Sequence, residues 1–135
     1  MMKSVTEIQD ILYSILDGSD LHREIQSRGG AIYTDERPMN SGKEDITILP
    51  LDGLVGGDTQ ELVLNINIYV RDIPRDNQMI IDKPRIRHLS RLAISLLEEY
   101  VMSDYQFHIE KQPVFKVDGA DEHCINNRIL FTLLK

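Results

Sequence analysis

The chain is poor in the residues and patterns that mark several classes of protein. It holds a single cysteine, Cys124, so no disulfide can form within the chain, and a cytosolic location is expected. No apolar run approaches the roughly 18 residues of a membrane-spanning helix, and the N-terminus does not resemble a signal peptide. Basic residues number 15 against 22 acidic ones, which gives a net charge of −7. We therefore expect no membrane association and no specific nucleic-acid binding.

Motifs of catalysis and metal binding are lacking as well. Neither His-x3-His nor Cys-x2-Cys spacing relates the candidate ligands His88, His108, His123 and Cys124. The sequence contains no Gly-x-Ser-x-Gly motif and no phosphate-binding loop, and Glu110-Lys111 lacks the middle residue of the Glu-x-Lys motif of some nucleases. We therefore expect a protein without catalytic activity, metal or cofactor.

The most regular pattern in the chain runs from Glu61 to Arg71. Apolar residues alternate there with other residues, as on a strand that has one buried face. The apolar face carries Leu62, Leu64, Ile66, Ile68 and Val70, and the other face carries Val63, Asn65, Asn67, Tyr69 and Arg71. Because asparagine has a low strand propensity, two of them on one face indicate contact with water, another chain or a polar partner.

Helical and extended patterns account for most of the remaining chain. With 135 residues, 41% of them apolar, it fits one domain, 1–135. Helices are predicted over 4–17, where Ser4 and Glu7 form a capping-box pattern, and over about 84–101, where Pro84 suits a first turn. Strands are predicted over 31–33, 45–49, 62–71, 105–109 and 125–133, the last interrupted by Asn127. A polar link, 19–27, has room for one more helical turn.

This order, α-β-β-β-α-β-β, predicts an α+β fold. We expect a mostly antiparallel sheet of about five strands with two helices packed on one face. The segments 51–60 and 72–83 are predicted to be mobile loops, because they contain Gly, Asp and Pro and lack periodicity.

A cluster of cations begins the second predicted helix of this acidic chain. It contains Lys83, Arg85, Arg87, His88 and Arg91. Cations at this end oppose the helix dipole, at a cost of about 0.3–1 kcal/mol each. In one explanation, nearby acids neutralise the cluster, namely Asp72, Asp76 or Asp82. In the other, the cluster contacts an acidic surface of a second copy, such as Asp35-Glu36, Glu44-Asp45 or Glu98-Glu99.

Several short motifs resemble a known family. They are Gly30-Ala31-Ile32-Tyr33, Arg37-Pro38-Met39-Asn40-Ser41, Glu44-Asp45-Ile46-Thr47-Ile48 and Asn65-Ile66-Asn67-Ile68-Tyr69-Val70. Together with the N-terminal helix before them, they resemble the small tail-completion or tail-terminator proteins of phages and prophages. The resemblance covers residues 5–100 in the order of elements and is sharp over about 29–48 and 62–72.

The resemblance implies a structural protein of the virion. Members of this family have an α/β sandwich fold and assemble into a ring, commonly a hexamer. The ring caps the tail tube, ends its polymerisation and joins the tail to the head. The implied partners are other copies of the chain, the tail-tube protein and head-completion proteins, with DNA passing through the ring. The implied location is the bacterial cytoplasm during assembly and then the virion.

Contacts between subunits are expected at the loop 37–45, the loop 51–60, the asparagine face and the cation cluster. The candidate interface residues are Arg37, Asn40, Glu44, Asp45, Asn65, Asn67, Tyr69, Arg71, Arg85, Arg87 and Arg91. A ring needs two different patches on each subunit that match each other, and the basic helix start and the acidic loops are two such patches. The alternative function is a small non-enzymatic domain that binds a ligand or protein through the asparagine face.

Overall fold

Three helices pack on one face of a large mixed sheet. This computed structural model describes residues 3–56 and 59–134. The helices are α1 (Val5–Leu16), α2 (Asp20–Gln26) and α3 (Lys83–Leu97). The strands are β1 (Ile32–Tyr33), β2 (Ile46–Gly56), β3 (Thr59–Arg71), β4 (Ile73–Arg75), β5 (Gln78–Ile80), β6 (Glu99–Val101), β7 (Tyr105–Lys111), β8 (Val114–Lys116) and β9 (Glu122–Leu134).

The main sheet has seven strands. Six of them lie in the order β1-β2-β3-β9-β7-β6, and β8 pairs with the start of β9. β1 runs parallel to β2, whereas the other described pairs are antiparallel. The C-terminal strand β9 therefore lies inside the sheet, between β3 and β7. β4 and β5 form a separate two-stranded sheet.

The predicted fold is wrong in its element order and in its sheet. The chain is α+β, but it has three helices and a mixed seven-stranded sheet, where two helices and a mostly antiparallel sheet of about five strands were expected. The link 19–27 forms α2. The second predicted helix, now α3, ends at Leu97, because Glu99–Val101 pairs with β7 as strand β6. The strand predicted at 31–33 is present as β1, and it runs parallel to β2 in a sheet expected to be mostly antiparallel.

Both segments predicted as mobile loops contain strands. Residues 51–56 continue β2 and residues 59–60 begin β3, so the two strands form one long hairpin. Gly57 and Asp58, between the two strands in sequence, lie outside the described residues. Residues 73–80 form the β4–β5 hairpin, which turns at Asp76 and Asn77 with φ angles of 47° and 62°. Positive φ angles at both central residues are what a type I′ hairpin turn requires.

The apolar face of β3 forms the floor of the core, as its alternation predicts. Its five apolar residues, from Leu62 to Val70, are at most 1% exposed. They lie in one cluster with the buried stripes of α1 (Ile8, Leu12, Leu16) and α3 (Leu89, Ala93, Leu97). Each buried aliphatic side chain contributes about 1.5–3 kcal/mol. The predicted capping box of Ser4 and Glu7 begins α1.

Asn127 is a polar side chain on the apolar face of β9, and it is fully buried. Its Nδ2 donates to Ile66 O at 3.0 Å, and its Oδ1 accepts a hydrogen bond from Gln112 Nε2 at 2.7 Å. Because donor and acceptor both have partners, the buried amide carries little desolvation penalty. Asn127 therefore breaks the apolar pattern in the sequence without ending the strand.

β2 lies next to the short edge strand β1. Only Ile46 and Thr47 of β2 pair with β1, and no described strand pairs with this side of β2 beyond them. Pro50 lies on this edge, where it has no N–H to donate. The register with β3 also shifts between Pro50 and Asp52. This edge, where Gln9 Nε2 donates to Ile48 O at 2.8 Å but no described strand continues the sheet, is therefore irregular.

Gly30 lets two backbone segments touch. A Cβ atom at this position would lie 1.8 Å from the carbonyl oxygen of Glu44 and 2.5 Å from its carbonyl carbon. The parallel pairing begins directly beside this contact, where Ile46 N donates to Ala31 O at 2.9 Å. Any side chain at residue 30 would therefore force β1 away from β2.

We expect Gly30→Ala to lower the free energy of unfolding by about 3 kcal/mol, because the clash is with backbone atoms that cannot rotate away. Urea unfolding followed by circular dichroism measures this loss. The matched control is Gly18→Ala, since Gly18 has a φ of 75° and open space around its Cβ position. Only backbone strain of about 1–2 kcal/mol applies there. Equal losses in the two variants would contradict the close-approach explanation.

Candidate functional site

The face of the sheet opposite the helices is the candidate site. Alternate residues of β2, β3, β9 and β7 build it, because successive strand residues point to opposite faces. Side chains form rows across the strands: Leu49, Asn65 and Arg128 share one row, and Asn67 lies opposite Asn126 in another. These five side chains are half-buried by their neighbours. No described helix covers this face, which is called the open face below.

Asn65, Asn67 and Asn126 form a hydrogen-bonded cluster on the open face. Asn126 Nδ2 donates to Asn67 Oδ1 at 2.6 Å and to Asn65 Oδ1 at 3.1 Å. The side-chain Oδ1 atoms of both β3 asparagines therefore accept a hydrogen bond. Asn65 Nδ2 has no hydrogen-bond partner among the described residues. The cluster therefore offers a free amide donor to whatever contacts the open face.

Arg128 lies beside this cluster, in register with Asn65. No ion pair joins it to a described carboxylate, and its Nε is buried without a hydrogen-bond partner. A buried donor left in this state costs about 1–3 kcal/mol. The isolated chain therefore holds an unpaired cation on the open face of a sheet.

Asn126, Arg128 and Glu122 are site residues that the sequence reasoning missed. The predicted strand 125–133 is defined by its apolar residues, and Asn127 interrupts it. The available signal was the alternation of Glu122, Cys124, Asn126 and Arg128, which share the face opposite Ile125 and Ile129.

The loop that contains Arg37 closes one end of the open face. Each of the three guanidinium nitrogens of Arg37 donates a hydrogen bond. Nε donates to Asp45 Oδ2 at 3.0 Å, Nη1 to Glu122 Oε1 at 2.7 Å and Nη2 to Lys43 O at 2.7 Å. Its Cζ also lies 4.1 Å from the ring centroid of Tyr69. Burial raises the pKa of the Tyr69 phenol above its usual value. Arg37 and Tyr69 thus lie together, as parts of the subunit's own packing.

Asp45 is fully buried at the centre of this arrangement. Besides Arg37, it accepts hydrogen bonds from Ser41 Oγ at 2.6 Å and from Ala31 N at 3.1 Å. Its own carbonyl oxygen accepts from Tyr69 N at 2.9 Å. The carboxylate therefore joins the loop 37–41, β1 and β3, and it does not reach the surface.

Glu44 and Arg85 form a second buried pair on the helix side of the sheet. Arg85 donates from Nη2 to Glu44 Oε1 at 2.6 Å and from Nε to Oε2 at 3.1 Å. The bonds to Glu44 raise the pKa of Arg85 above its usual value. Arg85 Nη1 also lies 3.5 Å from Glu24 Oε1, and His88 contacts the same carboxylate. The hydrogen bond from His88 lowers the pKa of Glu24.

The remaining candidate residues lie at the surface in separate places. Arg87 and Arg91 are exposed on α3, away from the asparagine cluster, and Lys83 is exposed at the start of that helix. Of the acidic patches expected to match them, Asp35-Glu36 and Glu98-Glu99 are exposed, whereas Glu44 and Asp45 are buried. Asp82 caps α3 through Arg85 N. The cation cluster is therefore partly neutralised within the chain, mainly by Glu24 and Glu44.

A polar cleft of about 380 Å³ lies between the loop 37–42 and the residues 120–122. Arg71 lines it and donates from Nη1 to Gly42 O at 3.3 Å. Asn40 adopts a positive φ of 56° at the tip of the loop, a conformation that asparagine tolerates better than most residues. Arg71 and Asn40 thus share this cleft with Arg37.

Few of the described residues have the properties of a nucleophile or of a metal ligand. Burial raises the pKa of the Cys124 thiol to about 12, so it stays protonated and is a poor nucleophile. Within residues 3–56 and 59–134, no group of three or more His, Cys, Asp or Glu residues could hold a metal ion. None of the helices in the described part of the chain is long and apolar enough to cross a membrane.

We expect Arg37→Met to destabilise the subunit by about 3–5 kcal/mol, because it leaves the buried Asp45 and Glu122 carboxylates without their cation. Methionine preserves most of the side-chain length, so lost packing is a small part of the effect. Urea unfolding measures the change. Arg91→Met is the control, since Arg91 is exposed and its loss is expected to stay within about 0.5 kcal/mol. Similar values for both variants would contradict the assignment of Arg37 as the central cation.

No protein-family model matches this sequence, and a comparison with curated proteins gives no match.

Proposed function

We propose that this chain is a structural protein of a phage tail. Identical subunits form a closed ring that caps the tail tube, ends its polymerisation and joins the tail to the head. One observation carries the proposal: the segments that resemble tail-terminator proteins meet at one place in the fold. The Asp45 carboxylate accepts hydrogen bonds from Ala31, Arg37 and Ser41. The guanidinium of Arg37 lies over the ring of Tyr69 of β3. The motifs within 30–48 and the strand motif 65–70 therefore form one structural unit, and this supports the proposal.

The open face adds physical support. It combines apolar residues such as Leu49, Val63 and Leu130 with the asparagine cluster and Arg128, and all of these are half-buried. A mixed face of this kind suits contact with a protein. A ring needs two different patches on each subunit, and a two-layer subunit has two different faces to offer.

The finer parts of the proposal follow the family resemblance. The expected ring is a hexamer, with the tail-tube protein and head-completion proteins as partners and DNA passing through its centre. With a net charge of −7, such a ring repels DNA more than it binds it, which suits a conduit. The protein would act in the bacterial cytoplasm during assembly and then in the virion. No catalysis, metal or cofactor belongs to this function.

The second candidate function is a small non-enzymatic binding domain, and the cleft between residues 37–42 and 120–122 favours it. Its volume of about 380 Å³ is within the range of ligand pockets. Arg37, on one wall, already has each of its three guanidinium nitrogens engaged within the chain. Arg71, on another wall, is exposed and could hold an anionic group.

Oligomeric state separates the two functions. We expect the purified protein at low salt to form a closed ring of identical subunits, seen by native mass spectrometry and negative-stain electron microscopy. Raising the salt concentration should dissociate the ring without unfolding the subunits, because exposed charges are screened and buried pairs are not. Added to a polymerising tail-tube protein, the ring should limit tube length. A protein that stays monomeric at high concentration and low salt would contradict the ring and favour the binding domain.

A further inference from the structure

We propose that, in the ring, the open face of one subunit packs against the outer face of α1 of the next subunit, with Arg128 facing the carboxylate of Asp10. This inference rests on the proposed ring and identifies the two surfaces that form it. The open face carries unused donors, and the outer face of α1 carries an unused acceptor, the carboxylate of Asp10. The two lie on opposite sides of the same subunit.

The donor surface is the row of Asn65 and Arg128. Arg128 has no carboxylate partner among the described residues, and its Nε is buried without a hydrogen bond. Asn65 Nδ2 also has no partner among the described residues, because Asn126 bonds only to the side-chain Oδ1 atoms of Asn65 and Asn67. Lys111 lies opposite Arg128 in the register with β7 and adds positive charge at that edge. Both unused groups are donors, so the surface calls for a partner that presents acceptors.

The acceptor surface is a stripe along α1. Glu7, Asp10, Tyr13 and Asp17 are spaced three or four residues apart and are all exposed, so they lie on one side of the helix. That side is opposite the buried residues Ile8, Leu12 and Leu16. Asp10 has no cation or hydrogen-bond donor among the described residues, whereas Glu7 accepts hydrogen bonds from Ser4 N and Oγ, and Asp17 Oδ1 lies 3.4 Å from His22 Nδ1. Tyr13, 36% exposed, adds an aromatic surface between the acids.

The two surfaces also match in size. From Glu7 to Asp17 the helix rises about 15 Å, and from Val63 to Tyr69 the open face extends about 20 Å along β3. A helix covering a bare sheet face repeats the packing already present on the other face of this sheet. Tyr13 would meet the apolar residues of the open face, Leu49, Val63 and Leu130, while Asp10 meets Arg128.

This arrangement joins the subunits head to tail. Because α1 lies on the outside of the helix layer and the open face on the outside of the sheet layer, every subunit uses both surfaces, each toward a different neighbour. Contacts of this head-to-tail kind close into a ring when the rotation between neighbours divides a full turn without a rise along the axis, and otherwise they build an open filament. One kind of contact is therefore enough to build the ring.

A charge-swap experiment tests the contact. Arg128→Glu places like charges together, and so does Asp10→Lys in a separate variant. Each should raise the protein concentration needed for half-assembly by about tenfold or more, as measured by mass photometry and native mass spectrometry. An equimolar mixture of the two variants should assemble again, because each carries the complement of the other's altered surface. The double variant, Arg128→Glu with Asp10→Lys, should assemble by itself.

The control is Arg28→Glu, which reverses an exposed charge outside both surfaces and should assemble like the unaltered protein. Circular dichroism and thermal unfolding verify that each variant is folded, and Asp10→Lys on an exposed helix position keeps the test valid if Arg128→Glu is unstable. Rings that form in both single variants would overturn this contact and leave the proposed ring intact. Loss in each single variant without recovery in the mixture or the double variant would also overturn it. An unaltered protein that stays monomeric would overturn both proposals.

Discussion

The fold depends on two neighbouring buried carboxylates, those of Glu44 and Asp45. Their side chains leave the backbone in opposite directions, so Asp45 holds Arg37 beside the open face and Glu44 holds Arg85 of α3. Both carboxylates are almost fully out of solvent, and a buried charge is tolerated only with a well-placed partner. Residues 44–45 therefore join the helix layer to the loop 37–43. The close approach of Gly30 to Glu44 adds β1 to the same point.

The sequence predicts those parts of the fold that depend on local periodicity. The alternation of β3 gives its buried face correctly, and the capping box of Ser4 and Glu7 gives the start of α1. Features that depend on distant partners were not predictable in the same way. β6 has a helical pattern but pairs with β7, and the strand predicted at 31–33 runs parallel to β2, a direction that its local pattern does not indicate. Turn residues around 52–60 and 73–80 predicted loops, but hairpin pairing extends through them.

The candidate site was predictable in part, for a related reason. Asn65 and Asn67 are unusual in an alternating strand, and that signal is local. Their partners Asn126 and Arg128 lie on β9, and the sequence does not tell that β9 is inserted beside β3. Glu44 and Asp45 were assigned to the surface because charged residues usually are exposed. Nothing local distinguishes a solvated Asp45 from one that meets Arg37 and Ser41 inside the fold.

Pro50 and the irregular edge of β2 affect how copies of this protein can assemble. An uncovered edge strand is a template that can add strands without limit, and it produces fibres. Here a proline and a shifted register interrupt that template. Association through faces, by contrast, stops once a ring has closed, because no unused copy of either surface remains. Under the proposed function the protein must not form open polymers itself, and an irregular edge strand beside a bare sheet face favours a closed ring over an open fibre.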